Sequence, residues 1–333
     1  MLHVGLLYTE KKQDDKSQKF DPHGAKQMTN TVKAIEEAIL KKGNRVTLIP
    51  ASFDLLQRIE AIDDLDVIYN ACTGITDKIQ QANVVGMLEL QDVPFVGSSL
   101  STQIMGLHKA ASKRLFKSAN IPTARFQVFF TGTEQINENL NFPLIVKPER
   151  EGSSLGIDHD SVVYDDVNLY KKVKEVIRKF KQPALVEEFL NGREFTVGIL
   201  GNDDELEVLP IIEILYDDND NSNGFMTVDL KADDQLGQQL PADLDKKTLN
   251  LIKNNARKAY TVLNCHEFAR IDVRMDKDGY PYFIELNTLP GMEKGYSDYP
   301  KMAEAQGYKY EDLIEKLITL AIERDQEKRE STV

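Results

Sequence analysis

The stretch from Phe268 to Gly291 constrains this chain more than any other. It alternates side-chain character with a period of two on both sides of Asp278-Gly279, the pattern of a β-hairpin. Side chains on a strand alternate faces. Arg270, Asp272, Arg274 and Asp276 therefore share one face, and Ala269, Ile271, Val273 and Met275 the other. On the return strand Glu285 and Asn287 share a face opposite Ile284 and Leu286. A turn centred on Lys277-Asp278 sets Glu285 opposite Arg270, with Asp272 one diagonal step away. Two carboxylates, an amide oxygen and a guanidinium then meet on one surface. Such a set of oxygens suits Mg²⁺, which keeps several waters and is completed by substrate phosphates. The arginine can stabilise a developing anion. The same residues could also form a salt-bridged solvent face, so the rest of the chain has to separate the two readings.

A second piece is Phe142–Pro148, a short apolar strand that delivers Lys147 and runs into Glu149-Arg150-Glu151-Gly152-Ser153-Ser154-Leu155-Gly156. Glycines let backbone N–H groups approach a phosphate closely, and serines add hydroxyl donors. Lys147 would add a compact positive charge. A surface loop with an incidental lysine has the same composition. No G-x-x-x-x-G-K-[ST] occurs, and no Gly-x-Gly-x-x-Gly follows the first strand, so neither a Walker A loop nor a dinucleotide fingerprint is present. Leu185–Leu190 reads as a strand running into a turn, flanked by Glu187 and Glu194. Its backbone and carboxylates suit an adenine edge and ribose hydroxyls, although an ordinary exposed hairpin reads the same way.

The chain has 333 residues, enough for two or three domains. Its net charge of −13 argues against non-specific binding to nucleic acid or to an anionic membrane surface. A local cluster of Lys and Arg can still hold a small anionic ligand. Two cysteines, Cys72 and Cys265, imply no disulfide framework, and no cysteine or histidine spacing fits a metal site. Met1–Tyr8 turns polar at Thr9, too early for a signal peptide. No apolar run approaches the roughly 20 residues that span a bilayer. A cytoplasmic protein is the expectation.

Strands are expected at 2–8, 45–49 and 66–70, with a helix carrying Met28, Val32, Ile35 and Ile39 that ends at Gly43. That β-α-β alternation predicts a parallel sheet with covering helices. Further on, helices are expected near 102–119, 166–180, 245–263 and 310–325. Strands are expected near 125–130, 143–147, 184–189, 194–200 and 207–215. The polar stretch 216–241 is long for a loop inside a domain and suits an active-site cover. Residues 327–333 read as a frayed tail.

Taken in order, these pieces resemble the ATP-grasp superfamily, and specifically the D-alanine–D-alanine ligase family. Four segments carry the resemblance: Pro143–Pro148 with Arg150–Gly156; Glu187 with Gly192–Val197; Arg270–Val273; and Ile284–Met292. It runs from about Gly86 to Leu317. It implies a mixed α/β and α+β chain: an ATP-grasp fold behind an N-terminal parallel-sheet (pre-ATP-grasp) domain. The expected domains are 1–97, a central subdomain 98–190 with the glycine-rich loop, and a C-terminal subdomain 191–333.

The resemblance also implies roles. Lys109 and Lys147 would contact the phosphates of ATP, with Ser153 and Ser154 in the loop over them and Lys231 reaching the γ-phosphate. Glu187, Glu188 and Leu190 would line the adenine pocket, and Glu194 would hold the ribose. Asp272, Glu285 and Asn287 would bind two Mg²⁺, with Mn²⁺ as a substitute. Arg270 and the backbone at Gly291 would stabilise an oxyanion. The implied chemistry is amide formation between small amino-acid or peptide substrates through an acyl phosphate, in cell-wall synthesis, by a homodimer.

The ATP half of this pattern is nearly complete and the substrate half is not. Where the family has His-Gly-x-x-Gly-Glu-Asp-Gly, this chain has Asn70-Ala71-Cys72-Thr73-Gly74-Ile75-Thr76-Asp77-Lys78. The family's first-loop glutamate has no clear counterpart in Tyr8–Asp15. The closing-loop tyrosine is replaced near Phe225–Ala232. After Gly291-Met292, the usual Thr-Ser-His-Ser becomes Glu293-Lys294-Gly295-Tyr296. These differences fit either local rebuilding of one pocket or a changed substrate outside cell-wall synthesis. A nucleotide-binding protein without ligase activity is a third reading. Tyr296, Tyr299, Tyr308 and Tyr310 fit either the mouth of a substrate pocket or packing.

Overall fold

The computed structural model describes residues 1–10, 24–76, 79–152, 154–216 and 236–331. The expected first sheet is present and parallel, in the order Arg45–Pro50, His3–Tyr8, Val67–Ala71, Phe95–Val96. The helix Gly24–Lys41 lays Val32, Ile35, Ala38 and Ile39 onto one face of it, against Val4, Leu6, Val67 and Tyr69. Gly43 follows that helix with φ +76, a left-handed conformation that costs glycine little. The terminal helix Tyr310–Ser331 returns to the same face through Leu313, Leu317 and Ala321. It extends beyond the expected end because Arg329 binds Asp325 (2.6 Å) and Asp92 (2.8 Å). The tail from 327 is thus helical through Ser331.

Two antiparallel sheets follow. One runs Phe126–Phe129, Ala184–Glu188, Leu144–Pro148, Val162–Val163, and is covered by the helix Asp166–Phe180 through Leu169, Val173 and Val176. The other orders Gly237–Gln239, Ile212–Leu215, Glu194–Leu200, Phe268–Met275 and Pro281–Asn287, with Glu207–Val208 beside Glu194–Leu200. The helix Lys246–Val262 covers it through Ile252, Ala256 and Ala259. The expected strand 207–215 is two pieces, broken around Pro210, which has no N–H to give a ladder.

The expected helix 102–119 is also two, Leu100–Leu107 and Lys109–Ser118. His108 between them is extended (φ −88, ψ 93), and Lys109 N–H donates to Glu149 O (3.3 Å). The break turns the start of the second helix toward the glycine-rich loop. Short helices Leu55–Glu60, Gln81–Leu88 and Asp298–Gln306 were not foreseen.

The hairpin forms with a different register from the expected one. Asp276 N–H donates to Tyr280 O (3.0 Å) and Gly279 N–H to Asp276 O (3.1 Å), with Gly279 at φ +79. The turn is therefore centred on Asp278 and pairs Met275 with Pro281. A bulge beyond Val273 then sets Val273 opposite Phe283 but Asp272 opposite Glu285, and Arg270 opposite Asn287. Each departure slides the return strand by one residue. A single slide would move Glu285 and Asn287 to the core face; two restore them to the polar face.

Candidate active site

The polar face of the hairpin is tightly connected. Arg270 donates from Nε and Nη2 to the two oxygens of Asp272 (3.1 and 3.0 Å), and Asn287 Nδ2 donates to Asp272 Oδ2 (3.1 Å). Thr196, paired with Asp272 on the neighbouring strand, donates to Asp272 Oδ1 (2.9 Å). Lys109 Nζ lies 3.0 Å from Glu285 Oε2 and also donates to Glu151 O. Burial alone would push Glu285 up, but Lys109, Lys147 and Arg270 outweigh it and hold its carboxyl down at about 2. Burial disfavours the Arg270 cation, yet Asp272 and Asp298 (3.9 Å) hold its pKa above the ordinary value. The face thus carries two carboxylates, each paired with one basic side chain.

Beside it lies a buried run of charge. Glu187 is held between Lys147, in contact with its Oε1, and Lys113, 2.9 Å from its Oε2. All three side chains are less than 6% exposed. Burial raises the Glu187 pKa, and the two lysines more than reverse it. Burial lowers that of Lys113, which is also repelled by Lys147. Lys113 is fixed by Thr123 (2.8 Å), whose hydroxyl donates to Phe283 O. Two lysines facing one carboxylate leave this buried site short of negative charge.

Glu194, four residues along the same sheet face from Gly198, accepts from Arg274 (2.9 Å) and from the Tyr216 hydroxyl (2.6 Å). Burial raises its pKa, with Asp272 and Glu285 adding to the rise against Arg274 and Tyr216. Arg274 stacks on Phe189 at 5.3 Å from the ring centre. Glu188 is not gathered with the lysines: strand alternation turns it toward Asn141 (2.9 Å) and Arg125 (3.6 Å). Leu190 is partly buried at the strand's end.

In the glycine-rich loop Ser154 has φ +58, and Gly156 (φ +83) leaves no room for a Cβ, which would lie 2.6 Å from Pro148 Cγ. Ser153 and Lys231 lie outside the described residues, as do 11–23, 77–78 and most of the polar stretch 216–241. Gly291 is exposed, and a Cβ there would lie 2.8 Å from Ser297 Oγ.

The divergent segments are anchored differently from one another. Asn70 Oδ1 accepts from Cys72 N–H (3.0 Å), and Thr9 joins that stretch through Gly74 O (2.9 Å). Glu293 accepts from Asn30 Nδ2 (2.6 Å), while its own N–H donates to Ser297 Oγ (3.1 Å). Tyr299, Tyr308 and Tyr310 bond Ile199 O, Glu207 and Met292 O, which fits packing rather than a pocket mouth.

From the sequence, Arg274 falls on the polar face without a role, and no role attaches to Thr196, Lys113, Thr123 or Tyr216. Alternation along Glu194–Leu200 and Phe268–Met275 carried a signal for Thr196 and Arg274, and Lys113 sits one helical turn after Lys109. Nothing local marked Thr123 or Tyr216.

Among the described residues, no group of three or more His, Cys, Asp or Glu side chains is placed to hold a metal ion. Asp272 and Glu285 with the Asn287 amide form the sparser donor set that Mg²⁺ takes when phosphates and water complete its shell. The cations now balancing both carboxylates fit such a site.

These sheets, with Lys109 and Lys147 brought against the carboxylates Glu285 and Glu187, define an ATP-grasp enzyme fold. A family model described as D-ala D-ala ligase C-terminus matches residues 115–319. The D-alanine–D-alanine ligase of Carboxydothermus hydrogenoformans is 32% identical over 304 residues, covering 87% of this chain and 92% of that protein. The crystal structure of D-alanine–D-alanine ligase from Bacillus anthracis superposes with a TM-score of 0.75 at 23% identity, covering 98% of this chain and all (100%) of that one. That of the VanG D-Ala:D-Ser ligase from Enterococcus faecalis gives 0.74 at 21%, over 96% and 99%. The chain belongs to the D-alanine–D-alanine ligase family, and so to the ATP-grasp ligases that form carbon–nitrogen bonds. Among the described residues, no helix is long and apolar enough to cross a membrane.

Proposed function

We propose that this chain is an ATP-dependent carboxylate–amine ligase. It would activate one substrate's carboxylate as an acyl phosphate and join it to the amine of a second, releasing ADP and phosphate. The observation that carries this reading is the pairing of Lys109 with Glu285 beside the Arg270–Asp272–Asn287 cluster. Phosphoryl transfer needs positioning and charge more than covalent participation by the protein, and this cleft supplies charge of both signs at close range.

Within that reading, Lys109 and Lys147 hold the phosphates, assisted by Ser153, Ser154 and Lys231. Glu187, Glu188 and Leu190 line the adenine site, and Glu194 holds the ribose. Asp272, Glu285 and Asn287 are the residues that would hold Mg²⁺, which when bound neutralises phosphate charge. Arg270 and the Gly291 backbone would stabilise the oxyanion of amide formation. A protein that only binds nucleotide would not need a half-buried arginine forked onto one of two carboxylates.

Two D-alanines, the pair named for many relatives, are one substrate pair. A second reading, a different amino acid or a peptide, is favoured by a specific observation: Glu293, at the start of the segment where the family has Thr-Ser-His-Ser, is a carboxylate already bonded to Asn30. The test is phosphate release from Mg-ATP across D- and L-amino acids, singly and in pairs, with products identified by mass. Efficient release with D-alanine alone would sink the changed-substrate reading. ATP binding without release on any pair, peptides included, would sink the ligase.

A further inference from the structure

Behind the hairpin, Thr288 is gripped from the side opposite the carboxylates. Its Oγ1 donates to Gln103 Oε1 at 2.5 Å, and Gln81 Nε2 donates to the same oxygen at 2.9 Å. Gln81 Nε2 also lies 3.4 Å from Thr288 Oγ1, and Gln103 Nε2 donates to Ser98 O at 3.3 Å. Gln103 is fully buried and Thr288 nearly so. Both lone-pair positions of the Gln103 carbonyl are therefore filled by donors, and a buried network satisfied in this way is rigid.

The helix Leu100–Leu107 makes a second contact one turn further on. A Cβ at Gly106 would come 2.8 Å from Thr288 Cγ2, so the Thr288 methyl packs where a side chain at 106 would stand. Residues 103 and 106 share a helix face. That face holds the Thr288 hydroxyl with one residue and its methyl with the other.

Thr288 directly follows Asn287, and successive side chains at a strand end point to opposite sides. Clamping Thr288 from behind fixes the backbone from which Asn287 reaches Asp272 at 3.1 Å, and from which the chain turns toward Gly291. Gln81 extends the grip to the first sheet's layer, at the start of the helix that follows the divergent stretch 70–78.

We propose, on the ligase reading above, that Gln103 is a positioning residue: through Thr288 it sets the Asn287 arm of the metal face and couples it to the first-substrate side of the cleft by way of Gln81. Gln103 touches no reacting atom in this account. Its effect should appear as metal affinity and kcat, with metal-free nucleotide binding unmoved.

The experiment uses the full chain and Mn²⁺ as the probe, followed by electron paramagnetic resonance with ADP present. Q103L keeps the side-chain volume and removes the acceptor; T288V removes the hydroxyl and keeps the branch. Each should weaken Mn²⁺ binding by about 10-fold or more, the scale of outer-shell partners. The double variant should be no weaker than the worse single, because both remove one shared bond. T288S should restore affinity to near the wild-type value, and nucleotide binding in EDTA should be unchanged throughout. Should Q103L fail to fold, T288V against T288S carries the same comparison. Unchanged Mn²⁺ affinity in the folded variants, or fully additive losses, overturns the proposal. Wild-type protein that releases no phosphate while the variants still shift Mn²⁺ binding overturns the ligase reading and keeps Gln103 as a metal-positioning residue. Wild-type protein that binds no Mn²⁺ overturns both.

Discussion

Lys109 Nζ stands 3.0 Å from Glu285 Oε2, joining the first turn of a helix to the return strand of the carboxylate hairpin. The helix break at His108 aims that lysine, and the bulge opposite Asp272 aims that glutamate. Neither element alone would make the contact. Glu285→Gln keeps the shape and removes the charge. Turnover should collapse, while ATP affinity should change by less than about tenfold, or about 1.4 kcal/mol. Phosphate-release kinetics beside nucleotide titrations check this; parallel losses in both would remove Glu285 from the chemistry.

Arg270 forks both nitrogens onto Asp272, and a lysine cannot reproduce that fork. Arg270→Lys keeps the charge and loses the second hydrogen bond. The expected fall in kcat is on the order of 10²-fold, the scale of losing one oxyanion donor. KM for ATP should stay near the wild-type value. A variant with ordinary kcat would place the oxyanion elsewhere.

Glu187 is the single anion between two buried lysines. Glu187→Gln leaves both without a counter-charge and should cost about 3–5 kcal/mol of stability, read from denaturant unfolding. The acid limb should change as well. Lys113 and Lys147 depress the carboxyl against its burial. Its stabilisation is thus complete above the unfolded-state pKa of about 4.3 and is lost as pH falls through the lower folded-state value. The variant should lack that part of the acid transition. Lys147→Ala should in addition weaken ATP binding; unchanged nucleotide affinity would contradict its assignment to the phosphates.

The hairpin's two faces were readable because a period of two is a local property of the chain. Ala269, Ile271, Val273 and Met275 are all in the core, as the alternation required. Its register was not readable, because Asp278-Gly279 marks a turn without fixing its length, and no residue type announces the bulge. The break before Lys109 was likewise hidden: its cause is a hydrogen bond to Glu149, forty residues away in a different element. Lys113 and Thr196 could have been found by following the helical and strand periods one step from Lys109 and Glu194. Tyr216 and Thr123 owe their places to contacts across sheets, which no local pattern encodes.

Glu267 gives a test of pH dependence away from the cleft. It is fully buried with φ +57, next to the hairpin, and accepts from Gly97 N–H (2.7 Å) and Asn202 (3.2 Å) with Arg324 at 3.2 Å. Burial pushes its carboxyl up to about 7, although Arg324 and these hydrogen bonds pull the other way. A raised carboxyl holds its proton in the folded chain where the unfolded chain has already lost it. Stability therefore falls as pH rises from the unfolded pKa of about 4.3 to about 7, and levels off above that. Its neighbour His266 is pushed down to about 4 by burial and by Arg324, so it adds stability as pH rises toward the unfolded-state value of about 6.5 and opposes the Glu267 slope; the difference between variant and wild type isolates Glu267. Glu267→Gln keeps an acceptor for Gly97 and cannot ionise. Its unfolding free energy relative to wild type should rise between about pH 5 and about 7, with the largest gain on the alkaline side. Denaturant unfolding at several pH values measures this directly. A variant that runs parallel to wild type, or that loses most stability at alkaline pH, would mean that the Arg324 pair keeps Glu267 ionised throughout.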